Sequence, residues 1–167
     1  MVSHQQCQQL LRAALPLTPK NVLIPAMFTL KVKKLDPAAK LPTVGHPGDL
    51  GCDLYSLEET LIPAGGQAIV RTGIALKFPD GWGGIVKDRS SMAAARIYTA
   101  AGVIDAGYRG EVKIVMHNGG ASDYVVKTGS KIAQIVPLKA PEWNVEEAAE
   151  LDDTARAHGG FGSTGHN

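Results

Sequence analysis

Asp105 is the residue whose surroundings best suit it for chemistry. It follows an apolar pair, Val103-Ile104, and precedes Ala106-Gly107, inside the run Gly-Val-Ile-Asp-Ala-Gly-Tyr-Arg-Gly-Glu from Gly102 to Glu111. An acid at a strand end is held by the sheet while the turn leaves it open to solvent. There a carboxylate can accept a proton from water and orient it. The competing role is an Asx-turn, in which the side chain caps the bend it sits on. Tyr108 adds a ring that packs either on a sugar or on the turn itself. Arg109 and Glu111 alternate with Gly110 and read as a cross-strand pair. Lys113, on the following strand, is either solvated or close to a phosphate.

A second set of residues suits anions. Asp88-Arg89-Ser90-Ser91 combines a planar guanidinium fork with two consecutive hydroxyls. A helical turn is expected at Ser91–Arg96, which would add free backbone amides. The plainer reading is an N-cap carrying a surface Arg. Gln134 lies on an otherwise apolar strand, Ile132 to Leu138, where a buried amide needs partners: a ligand phosphate or the sheet. Further on, Arg156 and His158 precede Gly-Gly-Phe-Gly-Ser-Thr-Gly, Gly159 to Gly165. Glycine-rich backbone can wrap phosphates with its amides, and Phe161 could stack on a base. The alternative is a disordered tail. His158 has no clustered partner and is not a metal ligand.

These residues need elements to hold them. The pattern is one of short strands and turns. Phe28 to Lys34 alternates, with Phe28, Leu30 and Val32 on one face and Lys31 and Lys33 on the other. Cys52 to Leu57 also alternates. Ile62 to Gly66 is a turn, Gln67 to Phe78 is β-rich, and Pro79-Asp80-Gly81 is a turn. Gly84 to Lys87, Val112 to His117, Tyr124 to Val126 and Lys131 to Leu138 complete the strands. With 19 Gly and 10 Pro, an all-β fold is expected, a jelly-roll-like barrel or sandwich. Residues 1–26 carry no chemistry, although Gln8 to Leu15 could make two turns of helix. They read as an N-terminal extension before a barrel domain over 27–150. Residues 151–167 form a glycine-rich arm, expected to be flexible without ligand.

Bulk properties narrow the function. The 167 residues make one domain with a real core. With 17 basic and 16 acidic residues, the net charge of +1 argues against a nucleic-acid-coating protein. Cys7 and Cys52 make neither a disulfide framework nor a zinc site, so a reducing cytoplasm is expected. No run reaches the length of a transmembrane helix, and Leu10 to Leu17, broken by Pro16, is no signal peptide. No membrane partner is expected.

Taken in order, Gly51-Cys52-Asp53-Leu54, Arg89-Ser90-Ser91, Gly102 to Glu111, Gly129 to Gln134 and Arg156 to Gly165 resemble the five ordered motifs of the trimeric deoxyuridine triphosphatase (dUTPase) family. The resemblance runs from about Met27 to Gly165. It implies a jelly-roll-like β barrel of the β-clip kind, assembled as a homotrimer whose active sites draw on all three chains. The implied reaction is hydrolysis of dUTP to dUMP and pyrophosphate with Mg²⁺, which limits uracil incorporation in DNA and supplies dUMP for dTTP synthesis. By resemblance, Asp105 activates the attacking water, and Tyr108 packs under the deoxyribose against a 2′-hydroxyl. The backbone of Gly102, Val103 and Ile104 reads uracil. Arg89, Ser90, Ser91 and Gln134 hold phosphates, and Lys113 is a further substrate contact. Arg156 clamps the γ-phosphate, Phe161 stacks on uracil, and Gly162 and Ser163 close over the phosphates. Asp53 reaches the metal only through water, with no direct protein ligand. Arg96 and Thr99 depart from the pattern, standing where Gly and Asn are common. Two other readings remain: a dCTP deaminase-like enzyme, and a non-catalytic nucleotide-sensing or protein-binding module. The intact Asp105 and the glycine-rich arm favour hydrolysis.

Overall fold

The computed structural model describes residues 28–154. The N-terminal extension, with Gln8 to Leu15, and the arm residues Arg156, His158, Phe161, Gly162 and Ser163 lie outside the described residues.

The described chain is all-β with one short helix. Its strands are β1 (Lys31–Lys34), β2 (Cys52–Tyr55), β3 (Thr60–Ile62), β4 (Gln67–Arg71), β5 (Ile74–Lys77) and β6 (Trp82–Lys87). After the helix α1 (Ser90–Ala94) come β7 (Ile97–Ala100), β8 (Val103–Ile104), β9 (Lys113–Asn118), β10 (Tyr124–Val126) and β11 (Lys131–Lys139). They pair as a four-stranded sheet β2-β11-β6-β8, a three-stranded sheet β4-β9-β7, and two ribbons, β1-β5 and β10-β3. All pairings are antiparallel. This is the jelly-roll-like arrangement the strand pattern implies.

Alternation along the strands makes the core. On β9, Ile114, Met116 and Asn118 point inward while Lys113 and His117 face solvent. Leu54, Ile62, Ile74, Leu76, Ile97, Ile132 and Ile135 join Ile114 and Met116 in full burial. Each such side chain contributes about 1.5–3 kcal/mol relative to exposure. Asn118 is the polar exception. Its Nδ2 donates to the carbonyls of Ile62 (3.0 Å) and Ser122 (2.9 Å), and its Oδ1 accepts from Gly120 N (2.8 Å), so its burial is compensated.

Several boundaries differ from the sequence expectation. Regular pairing begins at Lys31 rather than Phe28, because Phe28 turns aside to pack on Phe78 and edge-on against Trp82. The long β-rich stretch breaks at Thr72-Gly73 into β4 and β5, which belong to different sheets. The helix runs Ser90–Ala94 instead of Ser91–Arg96, since Arg96 takes a left-handed φ of 60°. β3 and β7 were not expected, being short and carrying mixed patterns.

Candidate active site

The four-stranded sheet sets out the functional side chains. β11 is its organiser: Gln134 is opposite Asp53 on β2 and opposite Lys87 at the end of β6. That register delivers Asp53, Gln134 and the Asp88-Arg89 segment to one place. Gln134 Nε2 donates to the Asp88 carbonyl at 2.9 Å. The chain just past β6 is thus one partner of the amide, whose second Nε2 hydrogen can still be donated to a phosphate oxygen. Gly51 makes room for this amide, because a Cβ there would collide with the Gln134 side chain. Asp88 is braced on its other side. Its carboxylate accepts from Thr99 N (2.6 Å) and Thr99 Oγ1 (2.7 Å), so Thr99 serves the Asp88 turn.

Arg89 occupies the N-cap position of α1, but its side chain makes no cap. It turns to Asp53 instead: Arg89 Nε donates to Asp53 Oδ1 at 2.9 Å. Lys131 Nζ lies 2.7 Å from the other oxygen, Asp53 Oδ2. One half-buried carboxylate is therefore shared by two cations. The hydrogen bond and charge of Asp53 raise the Lys131 pKa above its ordinary value. The stabilisation from this pair is present below the unfolded-state value and lost only as pH rises through the folded one, so Lys131 is charged throughout the neutral range. Gly51, Asp53, Arg89, Ser90, Lys131 and Gln134, with His46 and Asp49 from the preceding loop, line a cavity of about 410 Å³. Ser91 opens instead to a neighbouring depression with Arg89 and Lys131.

A second cavity, of about 330 Å³, is lined by Gly102, Val103, Ile104, Asp105, Tyr108 and Lys113, with Ala100, Ala101, Glu111 and Val115. It forms because β8 pairs with β6 for only two residues, Ile104 opposite Gly84 and Val103 opposite Ile85. Gly102 makes the approach possible. Its φ is 101°, and a Cβ would stand 2.9 Å from the Val86 carbonyl. The Gly102 carbonyl in turn accepts from Val86 N at 2.8 Å.

After β8 the chain turns, closed by a bond from Tyr108 N to the Asp105 carbonyl (3.0 Å). Backbone, not the carboxylate, caps this bend. The exposed Asp105 side chain takes no hydrogen bond from any described residue, so the Asx-turn reading does not hold. Tyr108 pins the turn through its hydroxyl, which donates to the Glu111 carbonyl at 2.9 Å, while the ring stays 44% exposed. The expected Arg109–Glu111 pair is absent. Arg109 donates to the carbonyls of Ala106 (2.8 Å) and Tyr108 (2.7 Å), and Glu111 binds Arg71 (3.2 Å) and Gly73 N (2.9 Å). No strand runs through 109–111 to set the two opposite each other.

Apart from Ser91, the sequence-derived residues that the structure describes fall into two groups on one chain. Gly102, Val103, Ile104, Asp105, Tyr108 and Lys113 share one cavity, while Asp53, Arg89, Ser90 and Gln134 share another. β8 and β2 are the opposite edges of the four-stranded sheet, three strand spacings or roughly 14 Å apart. Lys131 was missed from sequence. It sits three positions before Gln134, and strand parity puts such residues on opposite faces. The register of β11 against β2 shifts between Lys131 and Ala133, which reverses parity and brings both into one cavity.

For a divalent cation, the described residues hold no group of three or more His, Cys, Asp or Glu side chains. Both Asp53 oxygens are already engaged by cations. Asp53 is compatible with a metal that the ligand's phosphates carry.

Comparison with known proteins finds close relatives of the chain. A deoxyuridine 5′-triphosphate nucleotidohydrolase of Clostridioides difficile is 44% identical over 142 residues, covering 83% of this chain and 99% of its own. One from Candida albicans is 46% identical, covering 83% and 89%. The solved dUTPase of Staphylococcus bacteriophage 80alpha with dUPNHPP superposes with a TM-score of 0.77 at 26% identity, over 83% of this chain and 99% of that one. The dUTPase family model matches residues 38–165, and the chain belongs to the dUTPase family.

Proposed function

We propose that this protein is a dUTP diphosphatase that hydrolyses dUTP to dUMP and pyrophosphate, with Asp105 as the general base. Family membership supports the reaction. The observation that carries the residue assignment is the Asp105 carboxylate, exposed at a cavity mouth and unengaged by any described residue. Such a group can take a proton from water. The water oxygen then bonds to the α-phosphorus, and the bond to the bridging oxygen breaks. Its electron pair leaves with pyrophosphate, in line with the attack.

The chain's other residues orient this step. The backbone of Gly102 to Ile104 offers fixed amide and carbonyl groups for the uracil edge. Tyr108 lies under the deoxyribose and leaves no space for a 2′-hydroxyl, and Lys113 adds a substrate contact. Arg89, Ser90, Ser91 and Gln134 receive the phosphates. Arg156, Phe161, Gly162 and Ser163 complete the enclosure, which excludes water and fixes the triphosphate. Mg²⁺ would neutralise phosphate charge when bound, with Asp53 holding a water of its shell. The division of these residues between two cavities supports sites shared between chains, one chain's Asp105 cavity working with another chain's Arg89 cavity, in the homotrimer that the family resemblance implies. A cytoplasmic location fits this substrate, and no helix among the described residues is long and apolar enough to cross a membrane.

The test is pyrophosphate release with dUTP, UTP, dCTP and dTTP in parallel, for the native protein and for Asp105→Asn. The native chain is expected to act on dUTP alone. The variant is expected to retain binding and lose about 10²–10⁴-fold in turnover. dUDP and orthophosphate as first products would overturn attack at the α-phosphorus, and a fully active variant would remove Asp105 from the mechanism.

A further inference from the structure

We propose that Lys131 is a positioning residue whose pairing with Asp53 keeps the terminal nitrogens of Arg89 free for the substrate's phosphates; this rests on the dUTP reading. Asp53 meets Arg89 through Nε alone, at 2.9 Å, and gives its second oxygen to Lys131 at 2.7 Å. The terminal nitrogens are barely used: Arg89 Nη1 makes only 3.5 Å contacts, to Ser91 Oγ and the Lys131 carbonyl. This side-on arrangement is not the one an arginine and a carboxylate choose alone. Left to themselves they favour a bidentate fork, with two parallel N–H···O bonds. Such a fork would occupy at least one terminal N–H that a phosphate could otherwise use.

Lys131 prevents the fork by anchoring Asp53 Oδ2. The irregular register between Lys131 and Ala133 brings the lysine to this side of the sheet. Its ammonium spends one donor on Asp53 and retains two for solvent or ligand. The charged and titratable groups around it are Asp53, Arg89 and Tyr55, with His46 and Asp49 on the same cavity. Without Lys131, the Asp53 side chain would have only Arg89 left of its present partners. Arg89 would then meet an anion already bound.

The experiment compares Lys131→Met, which keeps the stem and removes the charge, with Lys131→Arg. It reads kcat and KM for dUTP, the inhibition constant of inorganic pyrophosphate, that of deoxyuridine, and the thermal midpoint. Lys131→Met is expected to raise both KM and the pyrophosphate constant by about tenfold, the scale of a lost charge-assisted bond, with kcat within about twofold. Deoxyuridine inhibition and the thermal midpoint should stay close to native. Lys131→Arg should restore most of the loss. Unchanged KM and pyrophosphate affinity would overturn the proposal. So would a uniform loss of kcat, deoxyuridine affinity and thermal stability, or a failure of Lys131→Arg to rescue. A native protein inactive on dUTP would refute the functional reading instead, while pyrophosphate affinity would still decide the role of Lys131.

Discussion

Tyr108 commits its hydroxyl to the Glu111 carbonyl and leaves its ring exposed to the cavity beside Asp105. The two ends of the side chain therefore have separable roles. Tyr108→Phe removes one hydrogen bond, worth about 0.5–1.5 kcal/mol of stability, and keeps the ring. The preference for dUTP over UTP should survive that change and collapse in Tyr108→Ala. Equal ratios in all three proteins would put sugar discrimination elsewhere. Cys52 makes a different residue-scale case. Burial pushes its thiol pKa up, and the neighbouring Asp53 charge adds to this. The raised folded-state value means that any stability linked to the thiol is present below the unfolded pKa and lost as pH rises through the folded one. It also lowers the thiolate fraction in mildly alkaline solution, and the thiolate is the nucleophile. In a Cys7→Ser background at pH 8.5, iodoacetamide should label Cys52 more slowly in the folded protein than in urea. Equal rates would mean that the fold does not protect the thiol.

At the scale of elements, the link from α1 to β7 carries strain at a defined point. Arg96 adopts φ 60° so that its carbonyl can accept from Gly119 N at 2.8 Å. A left-handed residue with a Cβ costs roughly 1–2 kcal/mol. Arg96→Gly should relieve about 1 kcal/mol, less the added entropy of the unfolded chain. Urea unfolding of the two proteins checks this, and an unchanged or lower midpoint would show that the Arg96 side chain compensates in full. Other elements show what could be read from sequence. The placement of Asp105 at a strand end was legible because a strand, an acid and a glycine turn are contiguous, so local order fixes their relation. The strand over Val112 to His117 was legible too, and its observed bounds differ by one residue, Lys113–Asn118. The Arg71–Glu111 pair and the Asp88–Thr99 brace were not, since each joins segments whose adjacency depends on sheet pairing. Lys131 was hidden by a register irregularity that no periodicity reveals.

At the scale of the whole molecule, the candidate residues fall in two separate cavities. Asp105 belongs to the cavity at the β8 edge of the four-stranded sheet, and Arg89 to the cavity beside β2 and β11. A chain whose candidate residues are divided between two separate cavities has reason to complete each site with a neighbour's half. This predicts complementation between inactive variants. Asp105→Asn and Arg89→Ala each disable every site in a uniform trimer. Unfolded together in equal amounts and refolded, they should form mixed trimers. A site that takes Asp105 from one chain and Arg89 from another is then intact in about a quarter of random pairings. Recovery of roughly that fraction of native dUTP turnover is expected, with none in either variant refolded alone. A mixture as inactive as its components, with trimers confirmed by light scattering, would mean that each site is built within a single chain.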